Sequence, residues 1–386
     1  MKKESDMNWT GRYGYNFPTS IRFGVGVIEE MPAYLQAQGW KRPLIVSDKA
    51  VTQLPFFKKI LAALEAAKIS PTVYSGISKN PVESDVLNGT EHFHKENCDG
   101  VIGLGGGASL DVARAIVLKA YHTRPLFDYD DALGGDQYVT EKVPPFITVP
   151  TTSGTGSEVG RSTVIAENVS HKKRILFSPR LIASKVFADP ALTVDLPAGV
   201  TAATGMDALT HNVEAFLSKG VSPLCDGIAV EAIRLISESI ETATHKPDDL
   251  QARAKMMIAS LMGATAFQKG LGIIHSMAHP LSTVFDTHHG LANAVMMPYG
   301  LEFNKDVCAD KYKYLEKIIG TQDLIQWVRQ LNTKLAIPAS LKDMKLDAGR
   351  LSELSELAVA DACHQCNPKP VSRADFEALF RKAFQL

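Results

Sequence analysis

The chain has 386 residues, enough for two domains each with its own core, and its 45% hydrophobic and 22% charged residues are the proportions of a globular protein. A formal net charge of −1, without any block of Lys or Arg, excludes a general affinity for nucleic acid or anionic membrane. No run of about eighteen apolar residues offers a membrane span, MKKESDMNWTGRYGYNF (1–17) lacks the apolar stretch of a signal peptide, and the five cysteines (Cys98, Cys225, Cys308, Cys363, Cys366) read as reduced thiols, so a cytoplasmic protein is expected.

In the first half, short apolar runs read as strands: PLIVS (43–47), PTVYS (71–75), GVIGL (100–104), FITVP (146–150) and KVFAD (185–189). Between them lie the helical patterns FFKKILAALEAAK (56–68), SDVLNGTEHFHKEN (84–97) and SLDVARAIVLKAY (109–121). Strands alternating with helices predict a mainly parallel sheet covered on both faces. From about residue 190 the strand pattern stops, and segments such as 222–243 and 249–267 repeat apolar residues at helical spacing. The expected organisation is an α/β domain over 1–189 and an all-helical domain over 190–386, joined near ADPALTVDLP (188–197).

GLGGGAS (103–109) follows a strand and opens a helix, where glycines let backbone N–H groups approach a pyrophosphate. The acidic residue of LIVSD, Asp48, comes before this loop rather than about twenty residues after it. A carboxylate at a strand end can bond ribose hydroxyls and repel a 2′-phosphate, which favours NAD over NADP; as an alternative it caps a helix. A second small-residue loop, PTTSGTGSE (150–158), suits phosphate or a nicotinamide amide, or is simply a turn rich in Ser and Thr.

Four of the eleven histidines fall in the apolar stretch LGIIHSMAHPLSTVFDTHHGLANA (271–294), with His275 and His279 on one helix face. In GMDALTHNVEAF (205–216), Asp207 and His211 share another. Alone, the latter two read as a hydrogen-bonded pair. Beside the histidine-rich stretch they complete an O/N₃ set with His275 and one of His288 and His289, suited to Fe²⁺ or Zn²⁺. Cys363 and Cys366 form one C-x-x-C, read as two thiols of a helical turn rather than a zinc or redox site.

Taken in order, GGGASLDVARAI, VPTTSGTGSEVG, GMDALTHNVEAF, IIHSMAHPL, HHGLANAVMMP and DACHQCNPKPV resemble the signature blocks of the iron-containing (group III) alcohol dehydrogenases. The resemblance implies a dehydroquinate synthase-like fold, with a dinucleotide-binding α/β domain, a helical domain and a site in the cleft between them. It implies metal ligation by Asp207, His211, His275 and His289, the spacing of fourteen choosing His289 over His288. His279 then lies beside substrate and nicotinamide, as a proton relay or as a residue that orients a neighbour. On the cofactor side the resemblance implies Asp48 at the adenosine ribose and Gly105, Gly106, Gly107 and Ser109 at the pyrophosphate. It further implies Asn80, Thr151, Thr152, Thr155 and Lys173 around the remaining cofactor.

Departures from the family pattern fall at the substrate pocket: Ser162, Phe267, Lys269 and Cys363 are its candidates, and Arg114 replaces a common Lys. The expected reaction is hydride transfer between a small primary alcohol or its aldehyde and NAD(H), in a homo-oligomer, a dimer or larger. Lys269 and Arg161 raise an alternative, an anionic hydroxy acid such as 4-hydroxybutyrate, unless both are solvated surface charges. Rivals of other classes are a dehydroquinate synthase-like lyase, which needs a strongly basic pocket, a metallohydrolase, which leaves the nucleotide loops unexplained, and a non-catalytic nucleotide-binding regulator.

Overall fold

The computed structural model describes residues 19–386 apart from residue 171; the opening segment examined for a signal peptide lies outside the described residues. The first half runs β1 (Ser20–Phe23), α1 (Met31–Ala37), β2 (Pro43–Val46), α2 (Pro55–Ala66), β3 (Thr72–Tyr74) and α3 (Glu83–Lys95). It continues with β4 (Gly100–Gly105), α4 (Gly107–Lys119), β5 (Phe146–Pro150), β6 (Ser162–Ala166), β7 (Lys173–Phe177) and β8 (Lys185–Ala188). The sheet order is β1-β8-β5-β4-β2-β3, with every pairing parallel, while β6 and β7 form a separate antiparallel pair. Strand residues alternate between two cores: Leu44, Val46 and Val101 pack on one face, Ile45, Ile102 and Leu104 on the other. Each such side chain contributes about 1.5–3 kcal/mol by burial.

The second half is helical: α5 (Ala198–Leu217), α6 (Pro223–His245), α7 (Leu250–Ala266), α8 (Ile273–Phe285) and α9 (His289–Asn304) are followed by α10 (Ala309–Ile319), α11 (Leu324–Lys334), α12 (Leu351–Ala360) and α13 (Arg373–Phe384). Helix α5 is buried from Thr201 to Leu217, so its polar residues are core residues and every one of them must find a partner. A smaller cluster joins the halves, with Val159, Val186 and Ala188 meeting Met257, Leu261 and Ala264 of α7. Among the described residues no single helix is long and apolar enough to cross a membrane.

Parallel order explains where the nucleotide loops sit. β4 lies between β2 and β5, so the residues leaving the carboxyl ends of these three strands are neighbours: Asp48, the glycine loop and the loop 150–158. The carboxylate that precedes the glycine loop in sequence is thus beside it in space.

Candidate metal centre and nucleotide cleft

At the end of β4, Gly105 adopts φ +149, and a Cβ there would meet the Ser109 side chain at 2.5 Å. Asp48 divides its carboxylate: Oδ1 accepts the backbone N–H groups of Ala50 and Val51 at 2.9 Å, and Oδ2 lies 3.4 Å from the Ser109 hydroxyl. It is a cap and a neighbour of the glycine loop at once. The second loop closes over the first, for a Cβ on Gly107 would meet Thr155 at 2.8 Å and one on Gly106 would meet Thr152 at 3.2 Å. The Thr151 amide donates to the Gly105 carbonyl at 3.0 Å. The result is a small-residue cradle at the N-terminus of α4, floored by backbone and free of bulk, as a pyrophosphate requires. Arg114, fully buried, holds the far side of the second loop by donating to Ser157 Oγ and the Ser162 carbonyl, both at 2.9 Å.

Across the cleft, Asp207, His211, His275 and His289 each offer a ligand atom, and all four atoms lie within 4.8 Å of one another. Three helices bring them together. Helix α9 reaches α5 because Gly290 has no side chain: a Cβ would sit 2.3 Å from the Ala203 carbonyl oxygen. Helix α8 starts against α5 because Glu214 caps it, accepting the Ile274 N–H at 2.6 Å. Glu214 also lies 2.5 Å from His275 Nδ1, leaving Nε2 for the ligand set. Asn293, one turn after His289, donates Nδ2 to Asp207 Oδ1 at 2.7 Å.

The donor set fits a divalent ion. A tetrahedral site with bonds of about 2.1 Å holds its ligand atoms roughly 3.4 Å apart, so the set closes with shifts of about an ångström. Among the described residues His211 Nδ1 and His289 Nδ1 are buried without any hydrogen-bond partner. Burial holds His211 down to about 4 and His289 well below the imidazole range, so both rings are neutral, as ligands must be. Burial also draws His275 down, but the Glu214 hydrogen bond and the charges of Glu214, Asp207 and Asp361 lift it above the ordinary value.

His279 stands at the edge of the set, its ring 5.2 Å from that of His289, with Nδ1 2.7 Å from Asp361 Oδ2. Burial pushes the Asp361 carboxyl up, but the His279 charge and the bonds from His279, Ser276 and the Cys363 N–H hold it well below the usual range. His279, Asp361 and Cys363 make a second convergent group among the described residues. It is the poorer metal site: its carboxylate is already engaged by His279 and Ser276, and burial keeps the Cys363 thiol protonated. Cys363–Cys366 is a short helical turn of free thiols.

Other expected residues have neighbours of their own. Asn80 bonds Asp286 of the helical half, and Lys79 donates to the Asp286 carbonyl at 2.9 Å, so this pair bridges the cleft. Lys173 faces the charges of Asp111, Asp286 and Asp361, while burial lowers its pKa. Ser162 and Phe267 line a cavity of about 310 Å³ between the β6–β7 hairpin and the end of α7. Lys269 is neither a pocket residue nor a solvated charge. Its side chain is 2% exposed, pairs with Asp226 and donates to the Phe216 carbonyl at 3.0 Å, capping the C-terminus of α5. Glu214, Asn293 and Asp361 were not among the expected site residues. Glu214 had a signal, completing an i, i+4, i+7 face with Asp207 and His211; Asp361 opens the signature block DACHQCNPKPV, but nothing local pointed to its partner, 82 residues away.

Residues 18–190 match the profile of iron-containing alcohol dehydrogenases, and residues 201–384 that of the C-terminal part of the same family. The chain is 36% identical over 377 residues to a 4-hydroxybutyrate dehydrogenase of Cupriavidus necator, covering 95% of this chain and 98% of that one. Its fold matches the crystal structure of a 1,3-propanediol oxidoreductase at a TM-score of 0.92 and 33% identity, over 97% of this chain and 100% of the other. It also matches a sulfoacetaldehyde reductase from Bifidobacterium kashiwanohense in complex with NAD⁺, at a TM-score of 0.89 and 27% identity, over 97% and 99% of the two chains. With both halves matched by family profiles, and a cleft that holds a phosphate cradle on one wall and a carboxylate–imidazole cluster on the other, the chain belongs to the iron-containing alcohol dehydrogenases and is an oxidoreductase.

Proposed function

We propose that the chain oxidises a small primary alcohol, or reduces the matching aldehyde, with NAD(H), and that Asp207, His211, His275 and His289 hold the divalent ion it uses, Fe²⁺ or Zn²⁺. The observation that carries this is the convergence of those four ligand atoms within 4.8 Å, beside a cradle built for a pyrophosphate. When bound, the ion supplies Lewis acidity toward an alcohol or carbonyl oxygen, and nicotinamide supplies the hydride acceptor or donor. Everything else falls to side chains. Glu214 orients His275 and Asn293 orients Asp207. His279, fixed at Nδ1 by Asp361, exchanges the hydroxyl proton through Nε2. Gly105, Gly106, Gly107 and Ser109 receive the pyrophosphate, with Thr151, Thr152, Thr155, Lys173 and Asn80 around the remaining cofactor. Asp48 selects NAD over NADP by repelling a 2′-phosphate.

In this reading the domains are residues 1–189 and 190–386, Cys363 and Ser162 border the substrate, and the chain works as a cytoplasmic homo-oligomer. Five free cysteines support a reducing compartment, and the one-sided pairing of edge strand β1 supports assembly. A lyase acting on a phosphorylated sugar acid loses ground, because Lys269 is already paired with Asp226. The test is to strip the purified protein with chelator, restore Fe²⁺ or Zn²⁺, and follow NADH formation from short alcohols, diols and ω-hydroxy acids with NAD and with NADP. Metal-dependent turnover favouring NAD is expected; absence of nucleotide reduction with either ion overturns the proposal.

A further inference from the structure

We propose that the cavity beside Phe267 receives an anionic substrate tail and that Arg161 binds its carboxylate, which makes a short ω-hydroxy acid, or its semialdehyde, the preferred substrate class. This rests on the alcohol dehydrogenase reading above and narrows it. The cavity adjoins the ligand set through a single side chain: Phe267 lines it, and the Phe267 ring lies 5.1 Å from the His211 ring. Its volume of about 310 Å³ exceeds what a four-carbon acid fills.

Arg161 also lines this cavity, its guanidinium 5.5 Å from the centre of the Phe177 ring. Among the described residues no carboxylate lies within 4.0 Å of it and no protein group accepts a hydrogen bond from it. The contrast with other arginines of this half is direct. Arg114 has Asp111 at 3.5 Å and four hydrogen bonds, and Arg174 has both Asp130 and Glu167. A planar guanidinium, propped on an aromatic face with its donors unspent, is suited to a two-point grip on a carboxylate. Ser162 adds a hydroxyl on the same wall. Asp131, exposed at the mouth, carries the opposite charge and weakens this attraction without pairing to Arg161.

The experiment compares kcat/KM for 4-hydroxybutyrate with that for its neutral isostere 4-hydroxybutyramide, using metal-restored protein and NAD. The wild-type chain should prefer the acid by about tenfold or more, as expected for charge-assisted hydrogen bonds. Arg161→Gln should reduce the acid-to-amide ratio by about thirtyfold, chiefly through KM; Arg161→Lys should restore part of it, and Asp131→Asn should raise it a few-fold. Binding of butyrate and butyramide by calorimetry reads the same site without turnover. An equal response to acid and amide, or a ratio changed less than threefold in Arg161→Gln, overturns the assignment while leaving the dehydrogenase reading intact. If no alcohol reduces NAD and yet butyrate binds in an Arg161-dependent manner, the broader reading fails and the anion site stands.

Discussion

Glu214 gives the sharpest test of how the metal centre is built. It is buried, and it accepts from the Ile274 N–H at 2.6 Å, the His275 N–H at 3.4 Å and His275 Nδ1 at 2.5 Å. Glu214→Gln keeps the volume and one acceptor oxygen, so the cap on α8 survives in part while the charge is lost. Hydrogen bonds to charged groups contribute about 1.5–3 kcal/mol and neutral ones about 0.5–1.5 kcal/mol, a difference of about 1.5 kcal/mol for the His275 contact. That is about tenfold in the dissociation constant of the ion, at the lower end of the effect of groups that orient a ligand. Competition against a chromophoric chelator at neutral pH measures it directly. Glu214→Ala, which leaves the start of α8 without its acceptor, should lose more affinity than Glu214→Gln and also lower the melting temperature. If Glu214→Gln binds Fe²⁺ and Zn²⁺ within twofold of wild type, Glu214 does not position His275, and the layered account of the site is wrong.

Two further predictions concern the other half. Asp48→Asn retains the cap on Ala50 and Val51 but removes the charge, so the preference for NAD over NADP should fall at least tenfold; an unchanged preference refutes the role given to Asp48. Glu158 is buried, with Oε1 unpartnered among the described residues, and burial pushes its carboxyl from 4.5 to about 7. The folded chain therefore keeps a proton that the unfolded chain releases. Stability is fullest below about pH 4.5 and falls by about 3 kcal/mol as pH rises to about 7. Glu158→Gln should remove that slope, so its gain over wild type in urea unfolding should grow between about pH 5 and about pH 8; parallel curves would refute it.

What the sequence disclosed follows from chain separation. Asp207 and His211 share one helix, the glycine loop is one strand–helix turn, and their periodicity shows it. The parallel strands read from β-branched runs appear at nearly the same bounds. Strands β1, β6 and β7 do not announce themselves: SIRF and KRILF mix charge with apolar residues, and the hairpin is only half covered, leaving Ile175 40% exposed, unlike the fully buried β2 and β5. The pairing of Lys269 with Asp226 and of His279 with Asp361 spans 43 and 82 residues, and nothing in the local pattern of either partner indicates the other. A buried lysine and a surface lysine look alike until the helix that accepts from them is placed. Asp48 is the reverse case, a residue whose position in the chain looked irregular and whose strand order made it ordinary.

The two halves bear the demands of the chemistry unequally. In the α/β half the buried charge Arg114 is satisfied by Asp111, serine groups and backbone carbonyls, whereas the Glu158 carboxyl keeps an unpartnered Oε1 among the described residues. In the helical half a buried carboxylate and two buried imidazoles, Asp207, His211 and His275, meet the half-buried His289, and His211 Nδ1 and His289 Nδ1 have no hydrogen-bond partner among the described residues. Each unsatisfied buried group of that kind costs about 1–3 kcal/mol. The four ligand atoms converge on one point, so an ion bound there adds its binding energy to the α5–α8–α9 cluster, and metal affinity and the stability of that cluster are linked. Burial serves the same end twice, since it keeps His211 and His289 neutral and therefore free to bind the ion. Within the histidine-rich stretch desolvation does this for His289, while at His275 the Glu214 carboxylate outweighs it and fixes the ring through Nδ1.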